Sequence, residues 1–266
     1  MQIETHQNHS SPLIKIEGLT KDFRGLRALD NINLRLAEKE ILGVIGPNGA
    51  GKTTLFNLIT GLIPPTEGQI TFMGSEITHR SPDSVARLGI ARTFQNIRLF
   101  GAMSVLDNVR TAQQLHSRLN PASVLLSMPG FQHLESQLKE KSLDLLRSFG
   151  LDHLVEQPAN SLPYGSQRRL EIARALATQP RLLLLDEPTV GMNPSESQEL
   201  LELILQLRQQ FNLTIVLVAH DMKLVMGLCQ HIHVLNQGKT IAEGTPAQVR
   251  TMPQVIEAYL GSRHHA

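Results

Sequence analysis

Residues Gly46-Pro47-Asn48-Gly49-Ala50-Gly51-Lys52-Thr53 complete the pattern G-x-x-x-x-G-K-[ST], a phosphate-binding loop. Both flanks suit it. Glu40 to Ile45 is a short apolar run with β-branched residues and reads as a buried strand. Thr54 to Gly61 follows at helical spacing and stops on a glycine. Glycines let the backbone turn so that its N–H groups converge on phosphate oxygens, and the helix N-terminus adds a favourable field. Lys52 can neutralise the outer phosphates, and the Thr53 hydroxyl can ligate Mg²⁺. A chance glycine-rich turn has no need of strand, loop, Lys-Thr and helix in this order.

The chain of 266 residues has ample length for a core. Its 25 basic and 24 acidic side chains nearly cancel, so no global charge argues for a nucleic-acid partner. No apolar run approaches a membrane span. The single cysteine, Cys229, permits no internal disulfide, fits a reducing compartment and reads as a small core residue. Residues 1–12 are polar and read as a loose tail rather than a signal peptide.

Outward from the loop, Leu13–Glu17, Ile32–Leu36 and Gly68–Phe72 alternate and predict a small antiparallel sheet. Apolar runs at 41–45, 182–186 and 214–219, with helical stretches between them, predict a parallel-sheet α/β core. Residues 96–180 differ in character. Val105–Leu119 and Leu134–Phe149 carry helical spacing, so this stretch predicts a mainly helical insertion. From Pro246 onward one or two short helices are expected.

Three further stations carry chemistry. Leu182–Leu185 ends in Asp186-Glu187. Such a strand is expected beside the loop strand, with Asp186 helping to hold Mg²⁺ and Glu187 polarising the attacking water. By itself an acid pair after a leucine run also suits a solvated strand end. His220 follows the strand 214–219, on the rim where open α/β sheets bind ligands. The other ten histidines read as surface or tail residues. Gln95 ends the expected strand Ile90–Phe94, where its amide can sense the metal or the attacking water.

The phosphate loop, Gln95, the stretch Ser161–Leu176, the strand ending Asp186-Glu187-Pro188 and His220 come in fixed order. Together they resemble an ABC-type ATPase, the nucleotide-binding subunit of an ABC transporter, from Leu13 to about Pro246. A narrower likeness lies in Ala91-Arg92-Thr93-Phe94-Gln95, Arg98-Leu99-Phe100, Arg168-Arg169-Leu170-Glu171-Ile172-Ala173-Arg174, His220–Gly227 and Ala258-Tyr259-Leu260-Gly261. These resemble the ATPase subunits of branched-chain amino-acid importers. The resemblance implies a P-loop α/β fold with a parallel-sheet core, a small antiparallel β subdomain and a helical insertion at about 96–180. It implies an ATPase domain over 13–246 and a helical C-terminal extension over 247–266.

It further implies ATP and Mg²⁺ as ligands. Gly46, Pro47, Asn48, Gly49, Ala50, Gly51, Lys52, Thr53 and Thr54 would cradle the phosphates, and Phe23 would stack on adenine. Thr53, Asp186 and Gln95 would hold Mg²⁺, with Glu187 as general base, Gln95 as switch glutamine and His220 as switch histidine. The implied partners are a second ATPase subunit, identical or different, two integral membrane permease subunits met through residues near 96–110, and indirectly a periplasmic substrate-binding protein. The implied place is the cytoplasmic face of the inner membrane, as a peripheral subunit. Other cargoes (urea, amides, other amino acids, lipid) use similar subunits. Soluble ABC ATPases that remodel macromolecules usually carry two cassettes or long coiled-coil arms, and this chain has one cassette and no heptad run.

One segment departs from the family pattern. The expected signature Leu-Ser-Gly-Gly-Gln is here Leu162-Pro163-Tyr164-Gly165-Ser166. In an ABC dimer this segment closes over the ATP held by the other subunit. Pro163 has neither hydroxyl nor N–H. Losing one hydroxyl contact to a charged group costs about 1.5–3 kcal/mol. The segment this chain lends is therefore expected to grip less well than the site it keeps.

Overall fold

Three apolar runs are buried along their whole length, and that decides where they go. A strand with apolar side chains on both faces must be covered on both. The computed structural model describes residues 11–116, 129–219 and 222–261. Its strands are β1 (Ile14–Phe23), β2 (Leu26–Leu36), β3 (Ile41–Ile45), β4 (Glu67–Phe72), β5 (Ser75–Glu76), β6 (Ile90–Arg92), β7 (Leu182–Asp186), β8 (Thr214–Val218), β9 (His231–Asn236) and β10 (Lys239–Gly244). Its helices are α1 (Lys52–Ile59), α2 (Pro82–Arg87), α3 (Val105–Gln113), α4 (Pro129–Ser148), α5 (Tyr164–Ala177), α6 (Pro194–Phe211), α7 (Met222–Leu228), α8 (Pro246–Val249) and α9 (Pro253–Gly261).

One sheet has the order β10-β9-β3-β8-β7-β6. Its pairs from β9 to β6 are parallel, and β10 joins antiparallel at the edge. Alternate side chains of the buried strands feed two cores. Ile41, Ile45, Leu183, Leu185, Ile215 and Leu217 join a cluster with α3, α5, α6 and α7. Leu42, Val44, Leu182, Leu184, Val216 and Val218 join another with α1 and the antiparallel sheet β2-β1-β4-β5. The period-2 geometry of a strand makes this division.

The strand order corrects one expectation. β8 lies between β3 and β7, so the acid-tipped strand is not the neighbour of the loop strand. β8 matches the buried character of both neighbours, pairing Ile215 with Ile41 and with Leu183. The acids still reach the loop because they sit at the strand's C-terminal end, on the rim shared with the loop. The histidines bring a second correction. His233 is 2% exposed, inside β9. Its ring pairs with Glu243 Oε1 at 2.9 Å and Thr240 Oγ1 at 2.9 Å, which hold it in place. This contact keeps the Glu243 carboxyl below the usual carboxylate range.

Cys229 is buried in the larger core, and burial pushes its thiol up to about 12, so it is an unreactive core residue. The helix predicted over 105–119 runs as α3 to Gln113 and continues as a tighter turn over Gln114–His116, with the rest outside the described residues. Among the described residues no helix is long and apolar enough to cross a membrane.

Candidate nucleotide site

The loop between β3 and α1 is shaped by two glycines that nothing else can replace. Gly46 has φ 152°, and a Cβ there would stand 2.0 Å from the Leu235 carbonyl oxygen. Gly51 has φ 105°, and its Cβ would stand 2.5 Å from the Leu29 side chain. The loop is thus pressed against the ends of β2 and β9, and its other side faces an open cavity of about 820 Å³. Asn48 to Thr54, Phe23, Gln95 and Glu187 line that cavity. Phe23, at the end of β1, is 42% exposed, and the Lys21 ammonium lies 5.1 Å from its ring centre. An exposed aromatic face on a nucleotide-sized cavity is available for stacking.

Lys52 is buried and turns back on the loop. Its Nζ donates to the Gly46 carbonyl at 2.8 Å and the Pro47 carbonyl at 3.0 Å. Burial pushes this ammonium below the ordinary lysine value, and the carboxylates of Glu187 and Asp186 pull it partly back.

The acid pair is set by its backbone. Glu187 adopts φ 49°, uncommon for a side-chain-bearing residue. Its N–H donates to the Val218 carbonyl at 2.9 Å. The turn aims the carboxylate at the cavity, where Gln95 Nε2 donates to Glu187 Oε2 at 3.0 Å. Gln95 follows β6, which is shorter than the expected strand over 90–94. Asp186 points instead to a buried ion pair, with Arg92 Nη2 2.7 Å from its Oδ2. His220 lies outside the described residues.

The Thr53 hydroxyl and the Gln95 amide oxygen belong to residues that line the cavity, and the buried Asp186 carboxylate lies one residue before Glu187. All three are hard oxygen donors, the donor chemistry that suits Mg²⁺. The residues present therefore fit the metal as well as the nucleotide.

The signature segment packs against the loop that follows the acid pair and against the start of α6. Pro163 is the residue before α5 and makes no side-chain cap bond. The Tyr164 hydroxyl donates to the Val190 carbonyl at 3.0 Å, and Gly165 is buried against α6. Asn193, just before α6, forms a capping box with Glu196, at 2.9 and 3.0 Å.

Two residues of α5 that composition does not single out bind the Gln95 loop. Arg168 is fully buried and donates to the carbonyls of Phe94 and Gln95, each at 2.8 Å, and to Glu171 Oε2 at 2.7 Å. Glu171 Oε1 in turn accepts from the N–H groups of Phe94 and Arg98, each at 3.3 Å. Burial pushes the Glu171 carboxyl up, while Arg168 and those N–H groups pull it down. Replacing Arg168 by Met is expected to cost about 3–5 kcal/mol of stability, because a buried carboxylate loses its partner. The raised folded pKa of Glu171 means that the folded state binds its proton more tightly. The loss should therefore be largest above that value and shrink as pH falls through it. Urea unfolding at pH 7.5 and 5.5 measures both, and an equal loss at the two pH values would refute the assignment.

Comparison with known proteins agrees with this geometry. A family model described as "ABC transporter" matches residues 29–190, and one described as "Branched-chain amino acid ATP-binding cassette transporter" matches 239–265. The high-affinity branched-chain amino acid transport ATP-binding protein BraF of Pseudomonas aeruginosa is 46% identical over 252 residues, covering 95% of this chain and 99% of BraF. LivG of Escherichia coli, of the same description, is 47% identical over the same shares. Among solved structures, the ADP conformation of MJ1267, an ATP-binding cassette of an ABC transporter, superposes with TM-score 0.81 at 29% identity, covering 95% of this chain and all of that one. A dimeric post-hydrolysis cassette, MJ0796 bound to ADP and Pi, gives TM-score 0.74 at 27% identity, covering 88% and 98%. The P-loop α/β core, the cavity and these likenesses agree: the chain belongs to the ATP-binding cassette family of ABC transporters, in the branch of the branched-chain amino-acid transport ATP-binding proteins.

Proposed function

We propose that this chain is the ATP-hydrolysing subunit that energises an importer of branched-chain amino acids, working at the cytoplasmic face of the inner membrane. The likeness to BraF and LivG, at 46% and 47% identity over 95% of this chain, carries the cargo. The Gln95–Glu187 contact facing the phosphate loop supports the chemistry.

In this reading the loop N–H groups and Lys52 bind the phosphates of ATP, and Phe23 stacks on adenine. Lys52 exchanges its two loop carbonyls for phosphate oxygens, and a charge-assisted bond to phosphate is the stronger one. Glu187 accepts the proton of a water that Gln95 helps to orient. That water attacks the terminal phosphorus in line as the bond to the bridging oxygen breaks, leaving ADP and phosphate. When bound at Thr53 and Asp186, Mg²⁺ neutralises charge on the phosphates. His220 is assigned a further contact to the terminal phosphate.

Two such subunits, this chain and an identical or different partner, sandwich ATP between the loop of one and the signature of the other. Residues near 96–110 meet the membrane subunit; the assembly has two permease subunits, which a periplasmic binding protein supplies. Capture of the tagged chain from detergent-solubilised membranes, with mass spectrometry of its partners, tests the assembly. Two multi-span subunits and a second cassette are expected, and leucine uptake in vesicles carrying that complex should require ATP. Soluble partners alone would overturn the importer reading.

The signature makes the two ATP sites of a heterodimer unequal. Pro163→Ser restores a hydroxyl before α5, which caps the helix as well as facing the partner's ATP. In the assembled complex this variant should raise ATP turnover by roughly tenfold, the equivalent of one recovered hydroxyl contact at about 1.5 kcal/mol. Unchanged turnover would count against a weakened site.

A further inference from the structure

Asp186, assigned above to Mg²⁺, already holds a cation. The Arg92 guanidinium meets its Oδ2 at 2.7 Å, with the two side chains 4% and 5% exposed. The same guanidinium reaches α1, where Nη1 donates to Asn57 Oδ1 at 2.6 Å. It lies between two rings, 5.3 Å from the centre of Phe56 and 4.9 Å from that of Phe94. Its Nε has no partner among the described groups. Behind the carboxylate, the Asp186 N–H donates to the Thr93 hydroxyl at 3.3 Å. β6 and the residue after it thus hold Asp186 by side chain and by backbone.

A buried ion pair is weak evidence for a stabilising role, since apolar replacements often fold as well. This pair has an orphaned donor, the buried Arg92 Nε. A planar fork between two rings fixes direction, which a lysine's point charge cannot do. The arginine occupies one carboxylate oxygen. A carboxylate offers about four lone-pair sites, so Oδ1 keeps acceptors for a metal.

We propose that Arg92 is a positioning residue for the metal site: it locks Asp186 to α1, the helix that begins with Lys52 and Thr53, and thereby sets how tightly the site holds Mg²⁺. This rests on the reading of Asp186 as a metal ligand. The opposite behaviour has equal standing in electrostatics. If Arg92 merely competed with Mg²⁺ for the carboxylate, its removal would tighten metal binding.

The test measures binding of a fluorescent, slowly hydrolysed ATP analogue to the full chain, in EDTA and in a Mg²⁺ series. For the wild type, Mg²⁺ should tighten the analogue. For Arg92→Met, affinity in EDTA should match the wild type, because the phosphate loop is intact, and this also reports folding. The Mg²⁺ concentration giving half the tightening should rise by about 10–100-fold, the usual cost of losing a group that orients a metal ligand. Arg92→Lys should recover little of it, which separates direction from charge. Asn57→Ala keeps the ion pair and removes the anchor on α1, and should raise the requirement by about 3–10-fold, at or below the lower end of that range. It carries the test if Arg92→Met fails to fold. An unchanged or lower Mg²⁺ requirement in Arg92→Met, or in Asn57→Ala where that variant stands in, overturns the proposal, as does full rescue by lysine. Absence of any Mg²⁺ effect in the wild type overturns the reading of Asp186 itself, and the proposal with it.

Discussion

Glu187→Gln is expected to leave ATP bound and unhydrolysed. The exchange keeps the side chain's volume, and its amide oxygen can still accept from Gln95 Nε2, now 3.0 Å from the carboxylate. It removes only the ability to take a proton from water. A positioned general base contributes roughly 10²–10⁴-fold, so turnover in the assembled complex should fall by at least about 100-fold. Nucleotide affinity should stay within a few-fold, because the phosphate loop and Phe23 are untouched. Phosphate release and nucleotide binding measured on the same preparation separate the two effects. Wild-type hydrolysis in this variant would remove Glu187 from the role. The strained backbone at Glu187, φ 49°, would then lack a functional explanation.

Lys52→Met should be the second most damaging change, and it should damage binding and turnover together. Lys52 is buried against two loop carbonyls, at 2.8 and 3.0 Å. Its folded pKa lies below the ordinary value of 10.5, with burial as the largest cause. A lysine lowered in this way opposes folding while charged, and the opposition fades as pH rises through the folded value. Phosphate oxygens supply what burial removed, so the charge is worth most with ATP in place. Losing a group that stabilises charge on a transferring phosphoryl typically costs about 10²–10³-fold in rate. The nucleotide-free chain, in contrast, loses two hydrogen bonds and gains relief from a desolvated ammonium. Its melting temperature should move by less than about 4 °C, or roughly 1 kcal/mol. ATP at 100 times the wild-type dissociation constant stabilises the wild type by about 2.7 kcal/mol, and most of that increment should vanish in the variant. A Lys52→Met chain with an intact ATP-induced shift in melting temperature would refute this account.

Much of the fold was legible because its signals are local or periodic. The apolar runs at 41–45, 182–186 and 214–219 are buried on both faces, and a two-sided strand shows itself without knowledge of its neighbours. Neighbour order is a different kind of information. Nothing in Leu182–Asp186 distinguishes pairing with β3 from pairing with β8, since the candidates are equally apolar. His233 was unreadable for a related reason. Its partners Glu243 and Thr240 lie on the next strand of a hairpin, and a histidine is placed by what it pairs with.

The sequence by itself determined the phosphate loop. Eight consecutive residues carry the turn, the convergent N–H groups, the lysine and the hydroxyl, so the chemistry is written along the chain where backbone conformation is local. The tertiary structure alone decided how that loop is served. Gln95 meets Glu187 across 92 residues, and Arg92 meets Asp186 across 94. Arg168 reaches the Gln95 loop from a helix 73 residues away. Such pairs carry no spacing signal, because their distance is set by the order in which strands and helices stack. Burial then turns each one from a solvated charge into a fixed direction.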